Sequence, residues 1–185
     1  MSAESSRRSH FGLISLLLQT TNGISGRTRF QKLTYLTNLR WNCFDDFKFH
    51  YYGPYSEKLV SEIETMRDNH WLQENELRTS SDRTMFSYTL TNQQLEISRI
   101  LVRRAASANL IRRSVALINE LNRFTSDDLE IMSSLVYLKL SDEGIDDSSL
   151  VQLTRSLKPR FSTEKIKSKL SIFRILRSNN ILIAN

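Results

Sequence analysis

Apolar residues crowd positions 11–20 with no polar face between them: Phe11, Leu13, Ile14, Leu16, Leu17 and Leu18. A helix that is apolar all round belongs in a core or an interface. Asn22-Gly23 supplies a stop that tolerates positive φ, and Ser25 stands where it would cap the next helix. In that helix Phe30, Leu33 and Leu36 or Thr37 fall on one side, widened by Tyr35 and Leu39. Arg27, Arg29, Lys32 and Arg40 are left for the outer face. The aromatic segment 47–52 suits a short strand, ended by Gly53-Pro54. Tyr55, Leu59, Ile63, Met66 and His70 then recur at helical spacing and predict a helix over 56–70. Residues 72–77 and 84–90 read as the strands of a hairpin, with a polar turn over 78–83.

Beyond Thr91 the pattern turns wholly helical. Leu101, Ala105, Ala108, Ile111, Val115 and Ile118 step by three or four, which fits one long helix or two abutting ones. Thr125 with Asp128 forms a near capping box, and Phe124 is placed to staple onto Leu129. That helix should run to about Leu140 and end before Gly144. The next starts at Ser148 or Ser149 and stops at Leu157, ahead of Pro159. Ser162 caps a last helix with the stripe Ile166, Leu170 and Phe173, and 181–183 reads as a terminal strand. The expected fold is mainly α with a small β-hairpin: a winged helix-turn-helix over 1–91, with a disordered lead over 1–8, then a helical half over 92–185 able to pack with it as one unit. Five residues build the expected core around the two central helices: Leu33, Tyr35, Tyr52, Tyr55 and Leu59.

Composition narrows the function classes. The chain has 185 residues, 39% hydrophobic and 25% charged, ordinary for a globular protein. A net charge of +6 permits an acidic or nucleic-acid partner without requiring one. Cys43 is the only cysteine, which leaves no intrachain disulfide and no cysteine zinc site; beside Trp41 and Phe44 it reads as an apolar filler. His10, His50 and His70 lack the i, i+4 spacing of a metal pair. The pairs Asp45-Asp46, Asp127-Asp128 and Asp146-Asp147 point apart and suit helix starts. No phosphate-cradling glycine loop occurs. The expectation is therefore a chain with no catalytic constellation, no metal and no cofactor. Its apolar runs fall short of the ~20 residues of a membrane span, and 13–18 lacks a cleavage site, so a cytoplasmic protein without membrane contact is expected.

Two stretches carry a family resemblance. Arg27-Thr28-Arg29-Phe30-Gln31-Lys32-Leu33-Thr34-Tyr35-Leu36 and Phe49-His50-Tyr51-Tyr52-Gly53-Pro54-Tyr55-Ser56-Glu57-Lys58-Leu59 resemble the signature of YwgA-like proteins and, more distantly, of Panacea-domain antitoxins. Asp127-Asp128-Leu129-Glu130 through Tyr137-Leu138-Lys139, with Leu157-Lys158-Pro159-Arg160-Phe161-Ser162, is similar to the helix pair that follows in YwgA-like chains. Phe30 stands where that pattern usually has Leu. The resemblance implies a mostly helical winged-helix protein without enzymatic activity, of the kind met beside toxin or phage-defence genes.

In a winged helix the helix over 56–70 would enter the major groove. Here it carries Glu57, Glu62, Glu64 and Asp68 against Lys58 and Arg67, a net charge of −2. Phosphate attraction dominates DNA affinity, so this helix suits a polypeptide partner better, and those four acids are the candidate protein-interaction residues. Nucleic acid, if bound, would meet Arg78 and Arg83 on the hairpin and Arg155, Lys158, Arg160, Lys165, Lys167, Lys169 and Arg174, with Arg177, near the C-terminus. The expected function is a non-enzymatic adaptor or regulatory subunit in a complex with another polypeptide, self-association being open to it as well. The competing reading is a winged-helix transcription regulator.

Overall fold

The computed structural model describes residues 3–78 and 84–178. In chain order the elements are α1 (Ala3–Thr21), β1 (Ile24–Ser25), α2 (Arg27–Trp41), β2 (Lys48–His50), β3 (Gly53–Tyr55), α3 (Glu57–Asp68), β4 (Gln73–Arg78) and β5 (Thr84–Thr89). The helical half follows as α4 (Asn92–Ala105), α5 (Ala108–Asn122), α6 (Ser126–Ser141), α7 (Asp147–Leu157) and α8 (Thr163–Ser178). The chain is mainly helical with small antiparallel sheets, in agreement with the fold class expected from the pattern.

Every residue from Phe11 to Leu18 is buried. α1 packs chiefly on α4, and also on α5, α2 and α3. Gly12 makes the α1–α4 approach possible, because a Cβ there would collide with that of Ala105. Of the two expected burials, in a core or at an interface, the apolar helix takes the first: its own chain covers it. Residues 3–8, expected to be disordered, form the first turns of α1; Met1 and Ser2 lie outside the described residues.

Ser25 does not cap α2. It pairs with Ser87 in β1, and the N-cap is Gly26 at φ 95 with no side-chain bond. β1 joins a three-stranded sheet of order β1-β5-β4, in which Ile24 faces Tyr88 and the hairpin register runs from Gln73↔Thr89 to Arg78↔Thr84. Gly53-Pro54 does not end the aromatic segment but returns as β3, with Phe49 opposite Pro54 and His50 opposite Gly53. Pro54 is tolerated there because a two-stranded ribbon has only edges. His70 leaves the α3 stripe: α3 ends at Asp68, and His70 is exposed at φ 57.

The helical half follows its caps. The pattern over 92–118 resolves into two helices, because Ser107 turns the chain after Ala105 and accepts from Leu110 N–H. Thr125 and Asp128 form the expected reciprocal capping box. α7 opens one residue earlier than expected, with Asp146 accepting from Ser148 and Ser149. Ser162 accepts from Lys165 N–H at the start of α8. The strand expected over 181–183 lies outside the described residues. One hydrophobic cluster runs through both halves, from Phe11 in α1 to Phe173 in α8. Leu33, Tyr35 and Leu59 sit in it as expected, but Tyr52 is 50% exposed and Tyr55 only half-buried. The hairpin turn carries Tyr52 outward.

Candidate functional site

The site grows from the junction of α2 with the β2–β3 hairpin. Gln31 is buried and holds Ser56 by both backbone groups: Gln31 Nε2 donates to Ser56 O and Ser56 N–H donates to Gln31 Oε1, each at 2.9 Å. Ser56 Oγ accepts from Leu59 N–H and donates to Asp46, which also accepts from Lys58 N–H. These bonds satisfy orphan donors of the α3 N-terminus. Gly53 adopts φ +82, and a Cβ there would stand 2.8 Å from Ser134 Oγ of α6. Gln31, Lys32 and the Gly53-Pro54-Tyr55-Ser56 turn, the two stretches that carried the family resemblance, are therefore one wired unit.

Lys32 was expected on the outer face of α2. It is 1% exposed, and its Nζ donates to Pro54 O at 2.6 Å. Every residue from Phe30 to Asn38 is buried, because α2 lies between α1, the hairpin, α5 and α6 and has no solvent side there. Burial drives the Lys32 amine down to about 7, with Glu130 opposing that shift and Lys158 adding to it. Arg40, also assigned outward, is buried, and its guanidinium is lowered by burial and by Arg113.

The nearest carboxylate system belongs to other cations. Lys158 is 2% exposed and Glu130 is 1% exposed, with Nζ 3.3 Å from Oε1, an ion-pair distance without hydrogen-bond alignment. Lys158 also donates to Tyr51 O, and burial lowers its amine against the pull of Glu130. Arg160 takes the other Glu130 oxygen at 2.5 Å and lies 3.3 Å from Asp127. Lys158 was expected in a nucleic-acid patch; instead it sits inside the fold, tying α7 to the hairpin turn.

A cavity of about 220 Å³ opens beside this network, between α2, the β2–β3 hairpin, α3 and β5. Phe30, Leu59, Ile63 and Tyr88 give it apolar walls, and Lys32, Gln31 and His50 contribute polar groups. Arg27 and Glu74, 3.3 Å apart, stand on its rim with Glu64. Periodicity alone did not reveal Lys32 as a cavity residue. The nearest signal was a lysine directly beside the apolar stripe, between Phe30 and Leu33.

The four acids assigned to the protein-interaction face divide. Glu57, Glu64 and Asp68 are exposed, Asp68 being bound by Arg67. Glu62 is buried, with Oε1 3.0 Å from His10 Nδ1 and Oε2 3.5 Å from Arg7. His10 Nε2 lies 2.9 Å from the Cys43 carbonyl, which can only accept, so Nε2 carries a proton. Glu62 clamps α1 to α3 and is removed from the docking face. Cys43 is buried and its thiol pushed up to about 12 by burial, so it is inert as a nucleophile at neutral pH.

The C-terminal basic group is largely neutralised from within. Lys165 and Lys169 face Asp127 and Asp128, Arg174 pairs with Asp147, and Arg155 donates to Pro159 O. Lys167 is exposed and forms no ion pair within 4 Å among the described residues, although it helps lower the Glu164 carboxyl. On the hairpin Arg78 is exposed, while Arg83, like the Arg177 side chain, lies outside the described residues. Arg29 is spent on the carbonyls of Phe124 and Asn122. A different basic surface emerges on α4 and α5, where Arg99, Arg103, Arg104, Arg112 and Arg113 occur with no acidic residue between Glu96 and Glu120. No helix among the described residues is long and apolar enough to cross a membrane. No protein-family model matches this chain, and no curated protein is significantly similar to it.

Proposed function

We propose that this chain is a non-enzymatic winged-helix adaptor or regulatory subunit acting through protein–protein contacts, in a toxin–antitoxin or phage-defence assembly as its resemblance to YwgA-like proteins implies. The sheet order supports the winged-helix reading: β1 precedes the α2–α3 pair and joins the β4–β5 hairpin that follows it. The observation that carries the proposal is the outer face of α3. Glu57, Glu64 and Asp68 are exposed where a winged helix would present its reading face to DNA. Such a face repels phosphates and suits a basic or mixed protein surface.

The test is charge reversal at Glu57 and Glu64, both exposed, with Glu62 left intact. The double variant should keep the wild-type circular dichroism and lose a specific polypeptide that co-purifies from the native host under gentle lysis. A wild-type protein that elutes alone from that host returns the reading to a DNA-binding regulator. One observation favours that second reading: the exposed Arg103, Arg104 and Arg112 on α4 and α5. If duplex DNA is bound, Arg103→Gln with Arg104→Gln should shallow the salt dependence by about two units of slope. Replacing Lys165, Lys167 and Lys169 should change it less, because α6 carboxylates already face Lys165 and Lys169.

A further inference from the structure

We propose that the cavity between α2, the β2–β3 hairpin and α3 is a binding site for a small monocarboxylate with an apolar body, whose anionic end is received by the Lys32 amine. The argument begins with an unfinished hydrogen-bond set. A protonated amine has three donors, and among the described residues the Lys32 amine has one acceptor, Pro54 O at 2.6 Å. Among the described residues no carboxylate lies within ion-pair distance of it, and Glu130 pairs with Lys158 and Arg160 instead. Buried lysines are ordinarily paired. This one is 1% exposed and contributes to a cavity wall.

The rest of the cavity selects the ligand. Phe30, Leu59, Ile63 and the Tyr88 ring give apolar walls to a cavity of about 220 Å³ in all. That is below the range of drug-sized sites, roughly 300–1,000 Å³, so the ligand is small. Arg27 is not its anion contact, since Glu74 and the Tyr88 hydroxyl already engage it. Glu64 and Glu74 on the rim, and Glu130 behind Lys32, oppose a multiply charged anion such as phosphate. A single carboxylate completes the amine's bonds and restores its proton. The Lys32 amine titrates at about 7, so binding of a carboxylate takes up a proton, increasingly as the pH rises from about 6 to 8.

The experiment is titration calorimetry of the full chain with phenylacetate, 4-methylpentanoate, phenylacetamide and inorganic phosphate, in two buffers of different ionisation enthalpy. Expected is binding of one or both acids about tenfold or more tighter than the neutral amide, the strength of a charge-assisted bond. The two buffers should differ in heat by the proton taken up. Lys32→Met should abolish the preference for acid over amide. Val60 of α3 also lines the cavity, and Val60→Trp should fill it and abolish acid binding with unchanged circular dichroism, which covers the case in which Lys32→Met fails to fold. No binding of either acid, equal binding of acid and amide, phosphate binding as tight as the acids, or acid binding unaffected by Val60→Trp would each overturn the proposal.

Discussion

Lys32 shows how far one buried amine governs the behaviour of a chain. Unfolded, it titrates near 10.5; folded, it titrates at about 7. Between those values the unfolded state holds the extra proton, so stability rises with pH across the window. Below about 7 both states are protonated, and the cost of the buried charge is full and constant. The unfolding free energy of the wild type, measured against Lys32→Met, should therefore climb by up to about 1.4 kcal/mol per pH unit above pH 7 and level off below it. Denaturant melts across the window would show no such divergence if the amine were solvated. Glu62 makes the opposite kind of prediction. Both its oxygens lie inside the α1–α3 contact, against His10 and Arg7. Glu62→Ala should cost about 3–5 kcal/mol, the range for breaking a buried pair. A loss within 0.5 kcal/mol, the range of neutral surface changes, would return the residue to the surface.

Among the elements, the β2–β3 hairpin packs against both α2 and α6, which also meet each other directly. Its geometry rests on Gly53, where a positive φ and the closeness of Ser134 Oγ both exclude a side chain. Gly53→Ala should destabilise by more than about 1 kcal/mol. Ser134→Gly in the same chain should recover the part due to the clash but not the part due to the backbone, as a double-mutant cycle in denaturant would resolve. Ser134 Oγ has no hydrogen-bond partner, so removing it abandons none. The capping box at α6 is a more local device. Thr125→Ala should cost about 0.5–2 kcal/mol, and it should leave the hairpin contacts unchanged, because the box lies at the opposite end of the helix from Tyr137, which packs on Phe49.

At the scale of the whole molecule, charge is sorted rather than spread. Its net charge of +6 arises without the C-terminal lysines forming an open patch, since α6 presents Asp127, Asp128 and Glu130 to them. Positive charge stays open on α4 and α5, and negative charge on α3. Association with a basic partner through α3 should slow as salt rises, and the Glu57 and Glu64 reversal should flatten that dependence. Stopped-flow rates over a salt series would read it. A salt dependence unchanged by the reversal would place the contact elsewhere.

Periodicity and capping determined much of this protein unaided. The stripe Ile166, Leu170 and Phe173, the Thr125–Asp128 box and the all-apolar run of α1 are local patterns, and local patterns depend on backbone geometry that the sequence carries with it. The same reasoning failed where a residue's fate depended on what lay across from it. Lys32 and Glu62 belong to polar positions of their helices, and a polar position reads as solvent-facing until neighbouring elements close over it. α6 and the hairpin close over Lys32, and α1 closes over Glu62. Lys165 and Lys169 looked like an open basic face because the acids that neutralise them lie roughly forty residues earlier in the chain. β1 was missed because a two-residue strand has no period, and exists only because Phe86 O and the β5 edge receive it. The cavity could be seen only in the assembled fold. Its walls come from α2, α3 and β5, and the donor left open in it is a matter of which carboxylate the tertiary structure gave to which cation.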